Sequence, residues 1–174
     1  MSNHLHIEIQ KTKKRLLKLS AYVEETLRLS IKAYNNSDLE LAEKVIKDDE
    51  IIDQQELDVE EECLKILALH QPVATDLRFI VAVLKINSDL ERIGDHAASM
   101  ANRTIKIANA PKQNANRISI EEISELTISM LKKSIDALVC HDTELAYTVF
   151  EIEKVVNKLN KKVFTDFVEK AQKD

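Results

Sequence analysis

The scarcity of turn-forming residues constrains the fold of this chain more than any other feature of its sequence. Among 174 residues there are one glycine and two prolines. A β-sheet needs many tight turns, and glycine and proline supply most of them. Aromatic residues make up only 4% of the chain and tryptophan is absent. We therefore predict an all-α protein whose core is aliphatic, as in a helix bundle.

The spacing of apolar residues predicts five helices. They are expected over about 5–34, 37–69, 72–107 (or 76–107), 119–140 and 142–171. Two capping boxes, in which a serine precedes a glutamate by three residues, are expected to begin the second and fourth helices. These boxes are Ser37 with Glu40 and Ser119 with Glu122.

The two halves of the chain repeat at an offset of 104 residues. Segment 39–46, LELAEKVI, resembles segment 143–150, TELAYTVF, and Asp38 corresponds to Asp142. The third helix has no counterpart, because residue 77 would correspond to 181 and the sequence has 174 residues. We predict a three-helix bundle over 1–108, a polar linker over 109–118, and a two-helix hairpin over 119–174 that forms an incomplete second bundle.

A two-helix hairpin leaves an apolar face uncovered. The residues expected on that face are Leu126, Met130, Leu138, Val149, Val156 and Leu159. We predict a homodimer in which two such hairpins form a four-helix layer.

Charge and hydropathy exclude several other classes of protein. The formal net charge of −5 argues against a broad nucleic-acid interface. No apolar run approaches the roughly 18 residues of a membrane span, and the N-terminus lacks the apolar core of a signal peptide. We expect a cytoplasmic protein that contacts membranes only through partners. Cys63 and Cys140 are isolated, so reduced thiols that are buried or half-buried are expected.

Two predicted helices carry pairs of carboxylates four residues apart: Asp49 with Asp53 on the second, and Glu91 with Asp95 on the third. Residues four apart lie on one helix face, and like charges there repel. The two helices are antiparallel about the Gln71–Pro72 turn. Each pair lies roughly twenty residues, about 30 Å of helix, from that turn, so the four acids should meet at the same height.

A projection at about 100° per residue predicts which face of the third helix is buried. The expected core stripe is Phe79, Val83, Ile86, Leu90, Ile93, Ala97 and Met100. Glu91 and Asp95 fall nearly opposite this stripe, together with Ser88 and Ala98. Gly94 lies between the two acids, where a missing side chain would let a helix, an ion or a partner approach closely.

Two interpretations of the four acids remain open. Converging carboxylates suit hard or borderline cations such as Mg²⁺, Ca²⁺, Mn²⁺ or iron. Alternatively they form a solvated acidic face with Lys47, Lys85 and Arg92 as counter-ions. No nucleophile with an adjacent base, glycine-rich phosphate loop or zinc cysteine set is recognisable.

The run 71–97, QPVATDLRFIVAVLKINSDLERIGDHA, resembles the signature of the PhoU family of phosphate-uptake regulators. Segments 49–53, DEIID, and 91–95, ERIGD, resemble the family's two acidic motifs. The resemblance implies tandem three-helix bundles and a multinuclear metal cluster, iron or zinc, on Asp49, Asp53, Glu91 and Asp95. It also implies a non-enzymatic regulator that links the ATPase subunit of a phosphate ABC transporter to a sensor histidine kinase.

The chain departs from the family pattern in its second half. The 174 residues are expected to lack the sixth helix, and Asp49 and Asp53 correspond to Glu153 and Asn157. We therefore expect at most one intact acidic cluster, in the first half. The expected function is a metal-binding adaptor that regulates phosphate uptake. The alternatives are a metal-dependent phosphoester hydrolase and a purely structural helical interaction module.

Overall fold

A computed structural model describes residues 3–110 and 120–171 and contains five α-helices. Their bounds are α1 Asn3–Asn36, α2 Leu39–His70, α3 Ala74–Asn109, α4 Glu121–Cys140 and α5 Thr143–Ala171. Within the described ranges there is no β-strand, and the all-α prediction is confirmed. None of the helices in these ranges is both long and apolar enough to cross a membrane.

The chain divides into two compact units, Met1–Ala108 and Asn109–Asp174. The first unit contains α1, α2 and α3, which pack as a three-helix bundle. The second contains α4 and α5, which pack against each other as a hairpin. The linker predicted over 109–118 lies almost entirely outside the described residues.

The turns that begin α2 and α5 are alike. Asp38 is the N-cap of α2, and its Oδ1 accepts a hydrogen bond from the Leu41 backbone N–H at 3.0 Å. Asp142 Oδ1 accepts from the Leu145 N–H at 2.9 Å in the same way. The residues before the two aspartates, Ser37 and His141, both have left-handed backbones, with φ of 57° and 56°. The 104-residue repeat thus extends to the conformation of the turn.

The predicted capping box of α2 needs correction, and the one at α4 stays a prediction. Ser37 belongs to the turn, and the carboxylate of Asp38 caps α2 instead. The residue directly before the helix is the one whose side chain reaches the first free N–H groups. At α4 the cap position is occupied by Ile120, which makes no side-chain capping bond. Ser119 lies outside the described residues.

The core of the first unit is aliphatic, as predicted. Its completely or almost completely buried side chains include Leu16, Leu19, Val23, Ile52, Val59, Ile66, Ile80, Val83 and Leu90. The buried face of α3 is wider than the predicted stripe, however. It includes Asn87, Gly94, Ala98, Ala101 and Thr104, whereas Ile86, Ile93 and Met100 are half-buried. Asn87 and Gly94 contact α2, and they are therefore buried beside the apolar stripe.

The second unit has a thinner core, formed by Ile128, Ile135 and Ala137. The six residues predicted to be exposed, Leu126, Met130, Leu138, Val149, Val156 and Leu159, are half-buried, and that prediction is wrong. The large apolar side chains that α5 exposes are Tyr147, Phe150, Val155 and Phe164. Partial burial follows because the inner rows of two long helices shield each other, while these four side chains project from the hairpin.

Of the two cysteines, Cys63 is buried and Cys140 is exposed, and both are free thiols. The expectation of reduced thiols holds, but the expected burial of Cys140 is wrong. Cys140 is the last residue of α4, where few neighbouring side chains are available to cover it.

Candidate functional site

The helices α2 and α3 approach each other closely at Gly94. A Cβ atom built on this residue would lie 2.8 Å from Cδ1 and 3.1 Å from Cγ2 of Ile52. Such separations are shorter than ordinary carbon–carbon contacts of about 3.5–4.0 Å. The sequence left open whether a helix, an ion or a partner approaches Gly94. In the structure the neighbouring helix α2 occupies the space that a side chain at residue 94 would need.

A second contact one to two turns away holds the same two helices together. Asn87 is completely buried, and its Nδ2 donates to both the backbone carbonyl of Glu56, at 2.9 Å, and its Oε1, at 2.7 Å. A buried amide that is bonded to both backbone and side chain fixes the helix register. The contacts of Gly94 and Asn87 thus define the seam between α2 and α3.

The four acids predicted as ligands lie along this seam. Asp49 and Glu91 are half-buried, and Asp53 and Asp95 are exposed. Asp49 Oδ1 lies 3.4 Å from the position of a Cβ on residue 94, which places it directly beside α3. The projection that put Glu91 and Asp95 on the face opposite the core is wrong in part, because they flank a seam that is itself buried.

Asp49 has the least favourable environment of the four. Its Oδ1 is buried without a hydrogen-bond partner. Burial raises the pKa of Asp49, and the negative charges of Asp53, Asp95 and Glu91 raise it further. A buried acceptor without a donor costs about 1–3 kcal/mol, so this carboxylate favours any cation or proton that can reach it.

Glu91 shows the same influences from the α3 side of the seam. Burial raises the pKa of Glu91 first, followed by the charges of Asp95 and Asp53, and Arg92 opposes the rise. Carboxylates on both helices therefore act on one another across the seam. This mutual repulsion agrees with the prediction from the sequence that the four acids lie at the same height on the two helices.

The counter-ions considered in the sequence do not neutralise the four acids. Arg92 lies 3.8 Å from Asp89, an exposed residue on its own helix. Across the described part of the chain, none of the four carboxylates has a basic side chain within 4 Å, and Lys47 and Lys85 form no ion pair with them. The acids are a negative cluster without an ion pair, and the charge of Arg92 offsets only part of the repulsion at Glu91.

The donor chemistry of this cluster fits a metal, but the side chains do not form a closed cage. Carboxylate oxygens are ligands for hard and borderline cations, and the unpartnered Oδ1 of Asp49 is an unused acceptor beside α3. As they stand, no three or more His, Cys, Asp or Glu side chains of the described residues converge closely enough to hold an ion. Binding would require carboxylates to rotate inward, and Asp53 and Asp95 are exposed on either side of the seam.

Two acidic residues beyond the predicted four extend the cluster along α2. Glu56 is held by Asn87, and burial, followed by the charges of Glu60 and Glu91, raises its pKa although the bond from Asn87 lowers it. The spacing 53, 56 and 60 in the sequence was the available signal, since it keeps three acids on one helix face. Nothing in the residue types indicated that Asn87 would be buried.

Comparisons with known proteins extend over most of the chain. The PhoU domain family matches residues 16–104 and 120–174. A phosphate-specific transport system accessory protein PhoU homolog of Aquifex aeolicus is 39% identical over 152 residues, which cover 87% of this chain and 68% of that protein. A homolog of the same description from Pseudomonas putida is 30% identical over 174 residues, or 100% of this chain and 68% of that protein.

Two solved structures have the same fold. The crystal structure of PhoU from Pseudomonas aeruginosa superposes with a TM-score of 0.90 at 31% identity, covering 97% of this chain and 81% of that one. The phosphate transport system regulatory protein PhoU from Streptococcus pneumoniae gives a TM-score of 0.84 at 26% identity, covering 95% and 77%. Helix order and packing are therefore shared with both structures.

Proposed function

The chain belongs to the PhoU family, and from this premise we propose that it is a regulatory accessory protein of phosphate transport. The single observation that carries the proposal is the match of the PhoU domain across both units of the chain. The relatives are named as accessory proteins of phosphate-specific transport systems. In this role the chain acts by binding partners, without catalysing a reaction.

The partners proposed are the ATPase subunit of a phosphate ABC transporter and a membrane-bound sensor histidine kinase. Both act on the cytoplasmic side of a membrane, so we place the protein in the cytoplasm. A helical bundle without a spanning segment in its described part would reach the membrane through these partners. Restraint of the phosphate-starvation response when phosphate is plentiful is the expected outcome.

Asp49, Asp53, Glu91 and Asp95 are the proposed metal ligands, and iron or zinc in a multinuclear cluster is the proposed occupant. Support comes from the uncompensated charge of these acids and from the unpartnered oxygen of Asp49. A bound cation would neutralise the repulsion across the seam, and so would stabilise the first unit. The metal thus has a structural and regulatory role in this proposal.

A homodimer is the proposed assembly. The side chains of Tyr147, Phe150, Val155 and Phe164 on α5 are between 46% and 71% exposed, and aromatic residues are enriched in the cores of protein interfaces. A sedimentation mass equal to one 19.9 kDa chain at micromolar concentration would contradict this assembly.

The metal proposal is tested by elemental analysis of the purified protein beside a Glu91→Ala/Asp95→Ala variant. The matched control is Glu121→Ala/Glu125→Ala, an exposed pair with the same spacing on α4. Iron or zinc near one or more equivalents in the parent and the control, and none in the seam variant, is the expected result. Equal metal content in all three proteins, or none in any after incubation with excess ions, would end the metal proposal.

The regulatory proposal is tested separately in cells that lack this protein. Expression of a phosphate-starvation reporter in phosphate-rich medium should rise in the deletion strain and return to its basal level with the parent sequence. A reporter that stays silent in the deletion strain would contradict the regulatory role, whatever the metal content.

A further inference from the structure

The outer edges of α2 and α3 carry a surface that continues beyond the four proposed ligands. On α2 the residues on this edge are Asp49, Asp53, Glu56, Glu60 and Leu64, spaced by three or four along one face. On α3 the edge carries Leu77 and Val81, fourteen residues before Glu91 and Asp95. Fourteen residues are about four turns, so both pairs lie on the same face. We call this surface the α2/α3 groove.

The register of the two helices places an acidic and an apolar part at opposite ends of the groove. Ile52 approaches Gly94, and Glu56 accepts a hydrogen bond from Asn87. Leu64 follows these two α2 residues by twelve and eight positions, and the α3 residues at the same distances before Gly94 and Asn87 are 82 and 79. Leu64 therefore lies level with residues 79–82, which include Val81. One end of the groove is acidic and the other is apolar.

The apolar end is open to solvent. Leu64 is 52% exposed, and Leu77 and Val81 are each 40% exposed. Single surface leucines are ordinary, but a group at matching height on two packed helices forms a patch. Half-buried Leu67 and Leu84 lie beneath it along the same two helices.

The acidic part nearest to this patch is not neutralised by an ion pair. Glu60 is exposed and lies one helical turn from Leu64. Within the described ranges, neither Glu56 nor Glu60 forms an ion pair within 4 Å. Negative charge beside exposed leucines complements a ligand with cationic and apolar side chains on one face.

We propose that the α2/α3 groove is a docking surface for a cationic amphipathic helix of a partner protein. The apolar residues of that helix pack on Leu64, Leu77 and Val81, and lysines or arginines one and two turns further along face Glu60 and Glu56. An amphipathic helix in a groove is a recurrent mode of peptide recognition. The docking residues differ from the four proposed metal ligands, so this inference goes beyond the metal proposal.

The experiment measures the binding of a fluorescein-labelled helical peptide by fluorescence anisotropy. The peptide carries leucines on its first turns and lysines on the same face of its later turns. A second peptide has the same composition in shuffled order, and a third has glutamates in place of the lysines. The parent protein should bind the ordered peptide at least about fivefold more tightly than the shuffled one, because one or two correctly placed contacts supply that difference.

Variants of the groove locate the binding site. Glu60→Lys should weaken the binding of the lysine peptide about fivefold, because the loss of one charge contact has an effect of that size. The same substitution should strengthen the binding of the glutamate peptide. This reversal cannot arise from misfolding. The control Glu43→Lys changes an exposed acid about 25 Å away on the same helix, and it should leave the affinities unchanged apart from a small nonspecific charge effect.

The apolar end is tested with Leu64→Ser, and Leu17→Ser serves as a control at a 38% exposed leucine of α1. Only Leu64→Ser should weaken the peptide, by about fivefold, since roughly half a leucine's burial energy is lost. Circular dichroism confirms the fold of each variant. Equal binding of ordered and shuffled peptides, or an unchanged affinity with Glu60→Lys, would overturn the docking proposal.

A membrane surface is the competing occupant, and vesicles of anionic phosphatidylglycerol test it. Vesicle binding that is lost with Leu64→Ser, in the absence of ordered peptide binding, would overturn the proposal in favour of lipid. The Glu91→Ala/Asp95→Ala variant separates this inference from the metal proposal. If metal is absent from the parent but the ordered peptide still binds it, the docking surface stands and only the metal proposal fails.

Discussion

Adding one methyl group at Gly94 should measure how closely α2 and α3 pack. In Gly94→Ala the new Cβ would lie 2.8 Å from Ile52 Cδ1 and 3.1 Å from its Cγ2. Overpacking of a core costs about 1–3 kcal/mol. Alanine also gains about 1 kcal/mol over glycine in a helix interior. The net expectation is therefore a loss of about 0–2 kcal/mol in the free energy of unfolding of the first unit.

A partner substitution separates these two contributions. Ile52→Val removes the Cδ1 atom that makes the shortest contact, and by itself it should cost about 0.5–1.5 kcal/mol. In the Ile52→Val background the helix-propensity gain should dominate, so Gly94→Ala should be neutral or stabilising by up to about 1 kcal/mol. The double-mutant cycle should thus give a favourable coupling of about 1 kcal/mol or more.

The assay is urea unfolding of the parent, both single variants and the double variant, followed by circular dichroism at 222 nm, near the usual helix minimum. Ala21→Gly, at an exposed site within α1 of the same unit, measures the propensity contribution without packing and should cost about 1 kcal/mol. A coupling below about 0.5 kcal/mol would be within ordinary additivity. Such a result would mean that the side chain of Ile52 does not exclude a methyl group at residue 94, and that α2 and α3 are not as closely packed as described.

Three further predictions concern single residues. Burial and neighbouring charges raise the pKa of Asp49, so the folded protein binds this proton more tightly than the unfolded chain does. Metal-free protein should therefore gain stability from this group as pH falls toward about 3.9, the ordinary pKa of an aspartate. Asp49→Asn should reduce this dependence on pH in thermal melts. Asn87→Ala removes both bonds to Glu56 and should cost about 1–3 kcal/mol in urea unfolding. Burial raises the pKa of Cys63 to about 12, so a thiol reagent near pH 8 should label only Cys140 in the native protein and both cysteines in denaturant.

The helices and the height of the acid pairs could be predicted because both follow from local patterns. Apolar periodicity determines helix faces, and the Gln71–Pro72 break determines which residues are level across the antiparallel pair. Asp49, Asp53, Glu91 and Asp95 therefore come to one seam, as their distances from the turn required. Whether they bind a metal is a matter of side-chain positions and stays a prediction.

The rest of the seam could not be predicted because it depends on which two neighbours α3 has. A single apolar stripe describes a helix packed on one surface, whereas α3 contacts both α1 and α2. Asn87 is polar and was not expected in a core, yet the carbonyl and carboxylate of Glu56 provide its partners. Cap positions failed for a related reason: Ser37 and Asp38 are both good caps, and the turn geometry decided between them.

The placement of glycine in this chain has a consequence for the thermodynamics of its turns. Ser37, Gln71, Ala74 and His141 all have left-handed backbones, a conformation that costs an L-residue about 1 kcal/mol or more. The one glycine is instead inside a helix, at Gly94. A chain this poor in glycine has fewer backbone states when unfolded and so loses less entropy on folding. The folded state has a corresponding cost, which is backbone strain at the turns between its helices. Glycine would relieve that strain at any of these turns, but the one glycine of the chain lies where α2 and α3 are in close contact.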